Sequence, residues 1–121
     1  MLERLDHVSL NVSDRPRSIA WYRDVLALEQ RNEPTEDAEP VFMGEFGACI
    51  ALFQARNASP ERTPESVGLR HVALTVRSLE EAQERLRGQG VDFRVEDHGN
   101  AHSVYLRDPD GHTIELTIYV A

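Results

Sequence analysis

From Val8 to Val12 the apolar residues Val8, Leu10 and Val12 alternate with a second set, His7, Ser9 and Asn11. A period of two marks a strand with one packed face and one polar face. The same alternation returns at Val72, Leu74 and Val76 against His71, Ala73 and Thr75. A helical period follows each strand. Asp14 is placed to cap the first helix, with Pro16 in its first turn and Ile19, Tyr22, Val25 and Leu26 along one face. Ser78 and Glu81 form a capping box for the second, whose apolar stripe is Leu79, Ala82 and Leu86, with Gly88 and Gly90 to end it. The last strands flank the turn DPDG at 108–111, and there Ile114, Leu116, Ile118 and Val120 oppose Thr113, Glu115, Thr117 and Tyr119.

These patterns belong to one repeat, offset by 64 residues without a gap, as Leu5 over Leu69 defines it. LDHVSLNV at 5–12 falls on LRHVALTV at 69–76, Gly47 on Gly111, Ile50 on Ile114 and Leu52 on Leu116. The chain is therefore expected to be one α+β domain of two similar modules at 1–56 and 68–121. A polar, Pro-containing linker at 57–67 joins them. If the modules fold alike, their non-apolar faces line one central cavity. By that register the first module contributes Val41, Met43, Cys49, Ala51 and Phe53, and the second Tyr105, Arg107, Thr113, Glu115 and Thr117.

Composition narrows what such a cavity does. Hydrophobic residues make up 40% and charged residues 28% of 121, the balance of a folded domain with one core. Twenty-one acidic residues against thirteen basic ones give a net charge of −8, and all thirteen are Arg. Without Lys there is no Schiff-base or lysine-base chemistry. Without a basic cluster there is no expectation of nucleic-acid binding. Cys49 is the single cysteine, so no intrachain disulfide forms. No apolar run reaches the roughly 20 residues of a membrane span, and the opening MLERLDHVSL lacks a signal-peptide layout. A cytoplasmic protein without a membrane partner is expected.

Glu115 stands between Ile114 and Leu116, where an unpartnered carboxylate costs several kcal/mol, roughly, to bury. One strand histidine is more often a packed residue than a ligand. Two at the same repeat position, His7 and His71, together with Glu115, make a ligand set of two imidazoles and one carboxylate, which leaves coordination positions open for a substrate.

Three stretches carry a family resemblance: the paired H-V-x-L-x-V strands, SIAWYRDVLAL at 18–28 and YLRDPDGHTIEL at 105–116. Together they resemble the vicinal oxygen chelate superfamily, which includes glyoxalase I, bleomycin-resistance proteins, fosfomycin-resistance thiol transferases and extradiol ring-cleaving dioxygenases. The likeness implies two tandem βαβββ modules forming a curved sheet around a metal-binding cavity. It implies His7, His71 and Glu115 as metal ligands. The position of a fourth ligand is Ala51, which departs from glyoxalase I and suits the three-ligand members. Tyr105 matches a tyrosine that binds or deprotonates catechol in the dioxygenases and, with Ser103, also matches the fosfomycin enzymes. Val95 stands near the place of the fosfomycin enzymes' lysine. The dioxygenase pattern also lacks a further histidine, replaced here by the apolar run ACIALF at 48–53.

The resemblance thus implies a metal-dependent enzyme that chelates a small-molecule substrate through vicinal oxygens, an extradiol-type dioxygenase first. Tyr105 is its catalytic residue, and Met43, Ala51, Phe53, Ser103, Arg107 and Thr113 its substrate contacts. Fe2+ or Mn2+ is the expected ion, with Zn2+ or Ni2+ as alternatives, and a homodimer is the expected assembly. A thiol transferase or lyase of the glyoxalase or fosfomycin-resistance type is the second reading. A metal-free, bleomycin-resistance-like binding protein is the third.

Overall fold

The computed structural model describes residues 1–36, 38–57, 63 and 65–120. Much of the expected linker at 57–67 lies outside the described residues. The chain divides into two compact units, Met1–Ser59 and Pro60–Ala121.

In the first unit β1 (Val8–Val12) leads into α1 (Arg15–Leu26), followed by β2 (Val41–Glu45) and β3 (Ala48–Gln54). The sheet order is β1-β3-β2, with β1 parallel and β2 antiparallel to β3. Asp14 caps α1 by accepting a hydrogen bond from the Arg17 amide at 3.1 Å. The buried stripe of α1 is Arg15, Ser18, Tyr22 and Val25 rather than one centred on Ile19 and Leu26, which are half-buried. Arg15 is accommodated on that face because it has its own partners. Its guanidinium donates to the Glu39 carbonyl and its amide to Gln54 Oε1. The strand expected directly after α1 is reduced to a single bridge, Gln30 to Met43, held by bonds from the Arg31 and Gly44 amides to the Phe42 and Glu29 carbonyls. Seven strands form among the described residues, where two βαβββ modules would have eight.

The second unit runs β4 (Val72–Thr75), α2 (Leu79–Gly88), β5 (Phe93–Asp97), β6 (Ala101–Arg107) and β7 (Thr113–Tyr119), in sheet order β4-β7-β6-β5. Ser78 Oγ accepts from the Glu81 amide at 3.2 Å, as the capping sequence predicts. Val72, Val104, Leu106, Ile114 and Leu116 form the buried face, together with Leu86 of α2.

The repeat holds where β1 meets β3: Val8 pairs with Ile50 as Val72 pairs with Ile114. It fails by one residue in the hairpins. Residues 46 and 47 alone connect β2 to β3, since Glu45 pairs with Ala48, whereas the five residues 108–112 separate the paired Arg107 and Thr113. An even-length turn against an odd one shifts the pairing by one, and a shift of one exchanges the two faces of a strand. Val41 and Met43 therefore pair with Leu52 and Ile50 on the core face, and Phe42 takes the place opposite Ala51. Met43 is fully buried and does not stand on the face of Ala51 and Phe53, which corrects the substrate-facing position expected for Met43 and Val41.

Candidate metal centre

The polar face of the second unit is set by register. Ala73 and Tyr105 flank Glu115 on either side, Thr117 lies opposite Ser103, and Thr113 opposite Arg107. Glu115 is 9% exposed, and its two oxygens have different partners. Oε1 lies 2.9 Å from His71 Nε2. Oε2 accepts from Ser103 Oγ at 2.6 Å, and that hydroxyl is also 2.9 Å from Thr117 Oγ1. The carboxylate that looked costly in the sequence is thus balanced by an imidazole and a hydroxyl, as a buried charge must be. Ser103 is completely buried with its hydroxyl so engaged; it holds Glu115, and the expected direct substrate contact at Ser103 has no exposed surface to make it.

Tyr105 packs edge-on to His71, with centroids 5.8 Å apart, and its hydroxyl lies 3.1 Å from His98 Nε2. The Arg94 guanidinium covers the Tyr105 ring at 5.0 Å while its Nε donates to Glu96 at 2.9 Å. Burial, followed by the charge of Glu115, pushes the Tyr105 hydroxyl above the ordinary phenol value, so it carries its proton at neutral pH. His98 is a site residue that the sequence patterns do not single out. It sits just beyond β5, with no periodicity to aim it, and only the hairpin geometry reveals its reach to Tyr105. Arg107 is exposed and, among the described residues, has no hydrogen-bond or ion-pair partner.

On the first unit the face of Ser9, Asn11, Phe42, Cys49, Ala51 and Phe53 is largely apolar. Burial, then Asp6, raises the Cys49 thiol above its usual range and keeps it neutral. His7 lies in this unit with its ring edge-on to Phe42 at 5.3 Å and its Nδ1 2.7 Å from Asp6.

The structure thus brings His71, Glu115, Ser103, Thr117 and Tyr105 together in one unit, and gives His7 partners in the other. Among the described residues no group of three or more His, Cys, Asp and Glu side chains is gathered as a metal site. The donor chemistry does fit a divalent ion: an imidazole nitrogen and a carboxylate oxygen converge at 2.9 Å, and neither side chain is fully enclosed.

Two units, each with a strand, a helix and further strands, make this an α+β protein of the glyoxalase fold. The family model of the Glyoxalase/Bleomycin resistance protein/Dioxygenase superfamily matches residues 4–116, and the chain belongs to that superfamily. Biphenyl-2,3-diol 1,2-dioxygenase 3 of Rhodococcus globerulus is 37% identical over 95% of this chain, which spans 63% of that relative's length. Glutathione transferase FosA of Serratia marcescens is 30% identical over 98% of this chain and 82% of its own length. The fosfomycin resistance protein FosX of Listeria monocytogenes superposes with a TM-score of 0.78 at 25% identity, over 99% of this chain and 94% of its own. A point variant of that protein, 23% identical with a TM-score of 0.78 over 99% and 95% of the two chains, was solved with Mn(II) and a dihydroxypropylphosphonic acid.

Proposed function

We propose that the chain is a metal-dependent enzyme acting on a small substrate chelated through vicinal oxygens, with His71, Glu115 and His7 as ligands and a homodimer as its working form. The approach of His71 Nε2 to Glu115 Oε1 at 2.9 Å, on the face that also carries Tyr105, is the observation that carries this reading. A bound Fe2+ or Mn2+ would act there as a Lewis acid, stabilising negative charge on the chelated oxygens. Ser103 holds the Glu115 carboxylate in one orientation. Tyr105, protonated at neutral pH, is positioned to donate to a substrate oxygen, and His98 connects that hydroxyl to the exterior. Ala51 and Phe53 offer apolar surface for the body of the substrate.

Extradiol cleavage of a catechol is the activity we favour. Its support is the 37% identity to the Rhodococcus dioxygenase, the absence of Lys, and a His98–Tyr105 pair able to relay a proton. A thiol transferase is the second reading, favoured by the FosA likeness and by the unpartnered Arg107 guanidinium, which can hold an anionic group near Thr113.

Protein refilled with Fe2+ and supplied with a panel of catechols should consume oxygen and form ring-opened product. It should lose stoichiometric metal on His71→Ala or Glu115→Ala. No uptake with any catechol, combined with thiol consumption by Mn2+-loaded protein given an anionic epoxide, would select the transferase. Failure of the unmodified protein to retain any of these metals would instead point to a metal-free binding protein.

A further inference from the structure

The two halves treat their histidines differently. His71 presents Nε2 to Glu115, whereas His7 turns Nδ1 to Asp6 Oδ2 at 2.7 Å. Phe42 holds the His7 ring edge-on at 88°, which limits its rotation. The repeat partner of Asp6 is Arg70, so the carboxylate in front of the first histidine is replaced by a cation in front of the second. A neutral imidazole with a carboxylate at one nitrogen keeps its proton on that nitrogen and its lone pair on the other.

We infer that Asp6 is a positioning residue that fixes His7 as the Nδ1–H tautomer and leaves Nε2 open as a donor to the divalent ion. The inference rests on the proposed metal centre and adds to it a residue that touches no substrate. Asp6 accepts the Nδ1 proton, which orients the ring and directs the Nε2 lone pair away from Asp6, the general role of a carboxylate behind a ligating histidine. The Asp6 side chain is 71% exposed, so replacing it empties no core and the variants fold.

The test uses the full chain and Mn2+ alone. In metal-free, 15N-labelled protein, long-range proton–nitrogen spectra should show His7 as Nδ1–H. Asp6→Ala should move it toward Nε2–H, and Asp6→Asn, which keeps an acceptor oxygen, should preserve the original tautomer. Mn2+ affinity should fall about 10- to 100-fold in Asp6→Ala and by less in Asp6→Asn. If the unmodified protein binds Mn2+ and Asp6→Ala binds it equally well, or if the His7 tautomer is unchanged in Asp6→Ala, the role of Asp6 is overturned while the metal centre stands. If the unmodified protein binds no Mn2+, both fall together.

Discussion

Tyr105 and Glu115 lie directly opposite each other on β6 and β7, and the carboxylate bears on the phenol. Burial first, and then the neighbouring carboxylate, disfavour the phenolate, so folding strengthens the hold of Tyr105 on its proton. A phenol with a raised folded value contributes stability that is complete below the ordinary value near about 10. That contribution disappears as pH climbs through the raised value. Stability measured by urea unfolding should therefore fall less steeply in the alkaline range for Tyr105→Phe than for the parent. In an ultraviolet titration, the difference between the parent and Tyr105→Phe should develop above the ordinary phenol range. A divalent ion at Glu115 would cancel the opposing charge, and the loaded protein should ionise Tyr105 at lower pH than the metal-free one.

At the scale of elements, the β2–β3 hairpin depends on two glycines for different reasons. Both have positive φ, +86 at Gly44 and +87 at Gly47. A Cβ on Gly44 would lie 2.0 Å from the Ala48 carbonyl oxygen, while one on Gly47 would meet nothing within 4 Å. Gly47→Ala should cost only the backbone term, about 1 to 2 kcal/mol. Gly44→Ala should cost more, on the order of 3 kcal/mol or above, because backbone must move. Chemical denaturation of the two variants side by side checks the ranking; equal losses would contradict it.

The same hairpin marks the boundary of what the sequence made legible. The strands of His7 and His71, both helix caps and the polar face of β7 follow from alternation and capping chemistry, which are local. Met43 and Ser103 do not. The face of Met43 depends on turn-length parity, a property of the pairing of two strands. The partners of Ser103 depend on the register that puts it across from Thr117 and beside Glu115. His98 needed a hydrogen bond seven residues away to gain a role.

At the scale of the whole molecule, the proposed ligands are divided between the compact units 1–59 and 60–121: His7 belongs to the first, His71 and Glu115 to the second. In the proposed homodimer, a His7→Ala chain and a Glu115→Ala chain are each deficient, yet one intact set remains when the two are mixed, provided the donors come from different chains. Mixed and re-equilibrated, the two variants should regain metal at about one site per heterodimer. Either variant alone should remain empty, as equilibrium dialysis would measure. No helix among the described residues is long and apolar enough to cross a membrane. The −8 charge falls mainly on exposed positions, Glu80, Glu81 and Glu84 of α2 among them.

The two turns that unlock the repeat have a last consequence. Because the turn at 46–47 is even and the one at 108–112 is odd, β2 and β6 present opposite alternations to their sheets: Phe42, not Val41 or Met43, stands opposite Ala51, whereas Tyr105 stands opposite Glu115. A protein built this way can exchange the side chains that a strand presents on one face without a substitution in that strand. One amino acid gained or lost in the connecting turn suffices, and the cost is borne by the core that must then accept Phe42 in place of Met43.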